Sequence, residues 1–226
     1  STSENLDMLR IAVAQLNPVM GDIAGNLAKA RAARAQAAQM NADLVLFTEL
    51  FIAGYPPEDL VLKTAFVAAC EKAVRELASD TADGGPGVII GTPLQRDSGL
   101  HNSIAVLDGG EIIAERFKVD LPNYGEFDEK RVFQPGPMPG PVNFRGVRIG
   151  IPICEDIWGD LGVAETLAES GAEFLLVPNG SPYHRAKIER RYQVVLKQVI
   201  ETELPMLYAN QVGGQDELVF DGGSFV

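Results

Sequence analysis

The sequence predicts a single α/β domain with a mixed β-sheet, and two patterns carry this prediction. Short apolar runs rich in β-branched residues alternate with helix-forming segments, as is typical of strands joined by helices. The turn Asp108-Gly109-Gly110 separates two further apolar segments and indicates an antiparallel hairpin. At 226 residues, the chain is long enough for one domain with a substantial core.

Each predicted element has its own local signal. Strands are predicted where short apolar runs are bounded by glycine, proline or polar residues: 9–15, 44–47, 88–92, 103–107, 111–118, 147–153, 174–178 and 206–210. Helices are predicted where alanine, leucine, lysine and arginine dominate or apolar residues recur at helical spacing: 26–40, 63–79, 161–170 and 185–203. Residues 218–226 indicate a second hairpin, and 121–141 are proline-rich and predicted to be irregular. We expect 1–7 to be a disordered leader and 8–226 to be the domain.

Composition narrows the possible functions. A net charge of −12 argues against a nucleic-acid-binding surface, because phosphate binding depends on clustered lysine and arginine. The apolar runs are strand-sized, so neither a membrane span nor a signal peptide is predicted. Two cysteines without CxxC spacing fit a reducing, cytoplasmic compartment. Cys70 falls in a helical pattern and is predicted to be a packed core side chain.

Three reactive side chains stand where predicted strands end. Glu49 comes shortly after strand 44–47, Lys118 closes 111–118, and Cys154 follows 147–153. Strand ends converge at one edge of an α/β sheet, where ligands usually bind. A free thiol has a pKa of about 8.5, so a lysine that stabilises the thiolate and a carboxylate that moves protons would activate it. Lys118 and the backbone N–H of Glu155 could also stabilise an oxyanion, so the three side chains suit acyl transfer.

Each of these residues also has a structural alternative. Cys154 could be a small core side chain, Lys118 a solvated lysine at a hairpin end, and Glu49 a structural ion-pair partner. Other chemistries have weaker support in the sequence. His101 and His184 are poorly placed for a Cys-His pair, and no GxSxG elbow, HExxH zinc motif or GxxxxGK[ST] phosphate loop occurs. No metal site is predicted.

The segments FTELFIAGYPPEDL, KVDLPNYGEFDEKRVF, PICEDIW and NGSPYHRAKIERR resemble the nitrilase superfamily, and within it the glutamine-hydrolysing domains of glutamine-dependent NAD synthetases. The resemblance covers essentially the whole chain and implies an αββα sandwich. It implies that Glu49 is the general base, Lys118 stabilises the tetrahedral intermediates, and Cys154 is the nucleophile. A second glutamate beside the lysine is implied at Glu126.

The resemblance also implies a glutamine-binding set, which comprises Tyr55, Tyr124, Glu155, Ser181 and Lys187. Lys187 stands where some relatives have arginine, so Arg185 is the alternative partner of the substrate carboxylate. The basic residues of this segment could instead form a solvated helix face: Arg185, Lys187, Arg190 and Arg191.

On this resemblance the expected reaction is glutamine hydrolysis through a cysteine thioester, which needs no cofactor. The ammonia would pass to a C-terminal synthetase domain that uses ATP and Mg²⁺ to form NAD. No SGGxDS-type phosphate loop occurs, so we expect that domain to be absent and the chain to end before the glutaminase domain is complete. A homo-oligomer is expected. The alternatives are an amidase or carbamoylase acting on another small amide, and a non-catalytic oligomerisation domain.

Overall fold

The computed structural model describes residues 8–121, 123–124, 127–157, 159–180, 206–209, 215–221 and 224–225. Its strands are β1 (Met8–Ala14), β2 (Leu44–Leu46), β3 (Gly87–Arg96), β4 (Gly99–Asp108), β5 (Glu111–Phe117), β6 (Asn123–Tyr124), β7 (Phe127–Asp128), β8 (Val142–Phe144), β9 (Val147–Gly150), β10 (Phe174–Pro178), β11 (Met206–Ala209), β12 (Gln215–Asp221) and β13 (Ser224–Phe225). The helices are α1 (Ile23–Gln39), α2 (Thr64–Asp80), α3 (Glu129–Val132) and α4 (Val163–Glu169). Short 3₁₀ turns lie at Glu58–Leu62, Thr81–Asp83 and Cys154–Ile157.

Most of the strands form two mixed sheets. The first sheet has the order β13-β12-β1-β2-β3-β4-β5, in which β1, β2 and β3 are parallel and the remaining pairs are antiparallel. The second sheet has the order β11-β10-β9-β8, with only β8 antiparallel to its neighbour. The predicted α/β class with mixed sheets is confirmed.

The two sheets pack face to face, and every second side chain along a strand lies in the core between them. In β1, Ile11 and Val13 belong to the core between the sheets, whereas Ala12 belongs to the core under the helices. The second sheet follows the same rule, since Phe174 faces the first sheet and Leu175 faces α4. This period of two is what a strand buried on both faces requires.

Helices cover the outer face of each sheet. α1 and α2 pack on the first sheet through side chains that include Leu27, Ala30, Cys70 and Leu77. α4 packs on the second sheet through Leu167. The layers are therefore helix, sheet, sheet and helix, which confirms the αββα sandwich. Cys70 is fully buried in the first of these layers, as predicted.

Several element boundaries differ from the sequence prediction. α1 begins three residues early because the Asp22 carboxylate caps it, accepting a hydrogen bond from the Gly25 N–H at 3.0 Å. β3 and β4 are longer than predicted and form a hairpin with each other. β9 ends at Gly150, because Pro152 has no N–H to continue a ladder. The segment 121–141, predicted to be irregular, contains the short strands β6 and β7 and the helix α3, and the strand β8 that follows it was not predicted.

The remaining predictions were confirmed or lie outside the described residues. The second hairpin is present as β12 and β13, which pair through Phe220 and Phe225. The predicted helix 185–203 and the leader 1–7 lie outside the described residues. Within the part of the chain that the structure describes, no helix is long and apolar enough to cross a membrane.

Candidate active site

The fold brings the three predicted catalytic side chains together. Glu49 and Lys118 come from the strand ends of the first sheet, and Cys154 comes from the segment that follows β9 in the second sheet. All three are fully buried. The Cys154 Sγ and carboxylate oxygens of Glu49 and Glu155 lie within 4.8 Å of one another. The site is therefore built at the contact between the two sheets.

Lys118 is the centre of the polar cluster. Its Nζ contacts Glu49 Oε2 at 2.6 Å, Glu129 Oε1 at 2.9 Å and Glu155 Oε2 at 2.5 Å. Its N–H groups donate hydrogen bonds to Glu49 and Glu129, whereas the contact with Glu155 is an ion pair in which Oε2 has no hydrogen-bond partner of good geometry. Burial lowers the pKa of Lys118, but the carboxylates outweigh it and raise the pKa well above its usual value. Lys118 is therefore an ammonium in the unliganded site.

The carboxylates around this ammonium differ in their affinity for protons. Burial raises the pKa of Glu129 to about 8 and also raises the pKa of Glu49, although Lys118 opposes both shifts. Burial acts in the same direction on Glu155, but the attraction of Lys118 wins and the pKa of Glu155 is lowered. One ammonium cannot balance three ionised carboxylates in a buried site. The cluster therefore retains a proton at neutral pH, and the raised pKa values of Glu129 and Glu49 place it on these two carboxylates rather than on Glu155.

Glu49 is oriented by groups from both sheets. Asn102 in β4 donates from Nδ2 to Glu49 Oε2 at 2.8 Å and to Glu129 Oε2 at 3.3 Å. The backbone N–H of Gly180, after β10, donates to Glu49 Oε1 at 3.2 Å. The backbone N–H of Lys118 donates to the backbone carbonyl of Asn102 at 2.8 Å, which extends the pairing of β4 and β5 by one hydrogen bond. Both oxygens of the predicted base are thus held in place.

Cys154 lies at a sharp turn of the backbone. Its φ angle is +47°, in the left-handed region that non-glycine residues rarely adopt, and it opens a 3₁₀ turn. Such conformations occur at active sites, where the surrounding structure holds the strained residue. The thiol donates to Asn179 Oδ1 at 2.6 Å. Asn179 follows β10, so the neighbouring strand positions the sulfur.

The structure places two of the predicted substrate-binding side chains at this site. Tyr55 is buried, and burial together with the nearby Glu49 raises the pKa of its hydroxyl. Glu155 pairs with Lys118, as described above. The backbone of Tyr124 pairs with Phe127, but its side chain lies outside the described part. The other predicted side chains also lie outside it: Glu126, Ser181, Lys187 and the alternative Arg185.

Sequence reasoning missed three side chains of the site. Glu129 belongs to the segment KVDLPNYGEFDEKRVF, in which Glu126 was the glutamate predicted to lie beside the lysine, and among the described residues it is Glu129 that contacts Lys118. Asn179 follows a buried strand, the same signal that selected Glu49. Asn102 is a polar residue within the strand β4, and its spacing in the sequence gives no sign of its partners.

The same cluster has donor atoms at a spacing that could hold a metal ion, namely Glu49, Cys154 and Glu155. Lys118 Nζ already contacts both of these carboxylates, at 2.6 and 2.5 Å. The ammonium therefore supplies the cation that the carboxylates require. From this position the ammonium could stabilise negative charge that forms close to the sulfur.

A buried cysteine beside a lysine and a carboxylate, on an αββα sandwich, defines a thiol-dependent hydrolase of carbon–nitrogen bonds. The chain belongs to the carbon-nitrogen hydrolase family, whose sequence model matches residues 10–226. It is 47% identical over 220 residues to a glutamine-dependent NAD(+) synthetase of Rhodobacter capsulatus, covering 97% of this chain and 40% of the relative. The chain thus spans about 40% of the length of the curated relatives it matches.

Solved structures agree with this assignment. The glutamine-dependent NAD+ synthetase of Acinetobacter baumannii, in complex with ADP, superposes with a TM-score of 0.85 at 33% identity, covering 96% of this chain and 42% of that one. A mutant of a Nesterenkonia amidase from the nitrilase superfamily superposes with a TM-score of 0.81 at 22% identity, covering 99% and 94%. The second likeness shows the fold alone.

Proposed function

We propose that this chain hydrolyses the side-chain amide of glutamine to glutamate and ammonia. The observation that carries the proposal is the meeting of Glu49, Lys118 and Cys154 in one buried cluster. The substrate is proposed because relatives that align with 97% of the chain are glutamine-dependent NAD synthetases. Glutamine is the nitrogen donor that their name requires.

The proposed reaction has two acyl-transfer steps. Glu49 takes the thiol proton, and the Cys154 sulfur attacks the amide carbon to form a tetrahedral oxyanion. Glu49 then gives the proton to the departing nitrogen, so the carbon–nitrogen bond breaks and leaves a thioester and ammonia. In the second step Glu49 takes a proton from water, which attacks the thioester. The proton returns to the sulfur, and glutamate is released.

Lys118 is closely surrounded by three carboxylates, so an oxyanion can reach its ammonium only after one of them moves away. Glu155 is the carboxylate that a bound substrate could draw away from Lys118. Neither of its carboxylate oxygens has a hydrogen-bond partner of good geometry among the described residues. The resemblance implies only that Glu155 belongs to the glutamine-binding set, and an anionic group of this kind suits the α-ammonium of glutamine. We propose that the substrate ammonium draws Glu155 away and frees one Lys118 donor for the oxyanion.

The wider role of the chain is also a proposal. In the longer relatives, ammonia would pass to a C-terminal synthetase domain, where ATP and Mg²⁺ support amidation of the NAD precursor. The hydrolytic step itself is proposed to need no cofactor. A homo-oligomer and a cytoplasmic location stay predictions; the second is supported by two cysteines, Cys70 and Cys154, that form no disulfide bond with each other.

The experiment is covalent labelling with 6-diazo-5-oxo-norleucine, an electrophilic analogue of glutamine, followed by intact-mass measurement of the folded chain. We expect one adduct per chain in the wild type and none in Cys154→Ala. A folded wild type that acquires no adduct, or a Cys154→Ala variant that still acquires one, contradicts the proposal.

A matched substrate pair tests the preference for glutamine over simple amides. Glutaramate has the same carbon chain and terminal amide as glutamine but lacks the α-ammonium. We expect ammonia release from glutamine to be faster, because only glutamine can engage Glu155. Equal rates would instead identify an amidase of broader range.

A further inference from the structure

Asp156 joins the backbone segments that carry the catalytic lysine and cysteine. Its buried carboxylate accepts hydrogen bonds from the Val119 N–H at 3.1 and 3.2 Å and from the Asp120 N–H at 2.7 Å. It also accepts from the Ile153 N–H at 3.3 Å. Val119 directly follows Lys118, and Ile153 directly precedes Cys154, so one side chain holds a neighbour of each catalytic residue.

This connection spans the two sheets. Lys118 follows β5 of the first sheet, whereas Cys154 and Asp156 follow β9 of the second. Two other polar links described above cross the same gap: Glu155 to Lys118, and Gly180 to Glu49. Both use a carboxylate that the proposed reaction moves or protonates. The bonds of Asp156 go to backbone N–H groups, which no step of the reaction changes.

Burying the Asp156 carboxylate costs free energy, so a purely structural role does not explain an aspartate at this position. Burial raises the pKa of its carboxyl to about 7, and the N–H groups of Asp120, Val119 and Ile153 oppose that shift only in part. A buried carboxylate destabilises a fold unless its hydrogen bonds compensate. An apolar side chain would fill the space without this penalty, but it could not hold the two segments in register.

We infer that Asp156 is a positioning residue that sets the distance between Lys118 and Cys154 across the two sheets. The inference rests on the proposed function only in taking Cys154 as the nucleophile. Without the carboxylate, the segments after β5 and before Cys154 lose their common acceptor. The sulfur then moves relative to the ammonium, and the thiol is less readily activated.

The test is the rate at which iodoacetamide alkylates Cys154, followed by peptide mass mapping, in the wild type and in Asp156→Asn. An amide keeps the size of the side chain, but its NH₂ group cannot accept a hydrogen bond. We expect alkylation of Cys154 to be about 10- to 100-fold slower in the variant. Asp160→Asn, the same change at an exposed residue four positions later, is the matched control and should react like the wild type.

The labelling rate of Cys70 reports whether the substitution loosens the fold as a whole. This cysteine lies in the apolar core under the helices, where burial raises the pKa of its thiol to about 12, whereas Cys154 lies beside the Lys118 ammonium, so Cys70 should be labelled only if the fold opens. If Asp156 served only to stabilise the fold, its loss would speed labelling at both cysteines. Slower labelling of Cys154 with Cys70 still protected is therefore the specific result.

Two results overturn the inference: an unchanged rate at Cys154, or faster labelling of both cysteines. If Asp156→Asn does not fold, Asp156→Glu replaces it, because the longer side chain keeps the charge but shifts the acceptor oxygens. The same slowing is expected, and a wild-type rate in Asp156→Glu overturns the inference. Iodoacetamide needs no glutamine pocket, so failure of the diazo analogue to label the wild type would contradict the proposed function without affecting this result.

Discussion

Glu129 shows how the surroundings of one residue decide its charge. Its carboxyl is buried against Lys118 and shares Asn102 with Glu49. Burial raises its pKa to about 8, so the acid is mostly protonated at neutral pH. Because the folded chain prefers the protonated form relative to the unfolded chain, ionising Glu129 destabilises the fold. The stabilising effect is complete below about 4.5, the ordinary pKa, and is lost as pH rises through about 8.

Glu129→Gln should remove this pH dependence. The amide cannot ionise, so the melting temperature of the variant relative to the wild type is expected to rise between pH 5 and pH 9. Each kcal/mol corresponds to about 2–4 °C for a chain of this size. The measurement is thermal unfolding by circular dichroism across that range.

Glu169→Gln is the control, because it makes the same change at a glutamate that is exposed in α4 and lies outside the buried cluster. A difference between Glu129→Gln and the wild type that is constant with pH would contradict the assignment of the proton to Glu129.

The turn after β2 positions Glu49, the proposed base, and crosses the neighbouring strand β3 at Gly91. A Cβ at Gly91 would lie 2.5 Å from the Thr48 carbonyl oxygen and 2.9 Å from the Glu49 carbonyl carbon. These are backbone atoms, so no side-chain rotation could relieve the contact. Leu50 follows with φ +52°, which completes the turn. The absence of a side chain at Gly91 in β3 is thus what lets the turn pass closely enough for Glu49 to reach the site.

Gly91→Ala should therefore displace Glu49 and reduce turnover. We expect a loss of stability of about 1–3 kcal/mol from overpacking. We also expect ammonia release to fall about 100-fold, because small misplacements of a catalytic group have effects of this size. Urea unfolding and an ammonia assay measure the two effects.

The matched change is Gly140→Ala, where an added Cβ meets nothing within 4 Å. It should leave both quantities unchanged. Wild-type turnover in Gly91→Ala would show that the base does not depend on this crossing.

At the scale of the molecule, catalysis depends on two sheets remaining packed face to face, because each contributes part of the site. The core between them includes Phe174 and Phe144 from the second sheet, and Ile11 and Ile104 from the first. All of these side chains are almost completely buried. The apolar core and the polar site are thus two parts of one interface.

Phe174→Ala should weaken this interface as a whole. Replacing a fully buried phenylalanine by alanine typically costs about 3–5 kcal/mol. The urea midpoint is expected to fall accordingly, with turnover and secondary structure lost in one transition. Leu62→Ala, at a side chain that is 55% exposed, should change stability by about 0.5 kcal/mol or less. An unchanged midpoint in Phe174→Ala would contradict the packing between the sheets.

The sequence by itself determined most of the longer elements, the fold class and the three reactive residues, but it did not predict β6, β7, β8 or α3. Strand and helix periodicity are local properties, and the reactive side chains Glu49, Lys118 and Cys154 stand at strand ends that periodicity reveals. The longer sequence motifs identified the family. Element ends were less well predicted where a cap or a proline decided them, as at Asp22 and Pro152.

Only the tertiary structure decided which side chains meet. Lys118 pairs with Glu49 across 69 positions of the chain, and Gly180 reaches Glu49 across 131. Contacts at such separations depend on strand order and on how the two sheets face each other, neither of which appears in local spacing. For the same reason, the proton on Glu129 and the bonds of Asp156 arise from burial and from partners that the fold supplies.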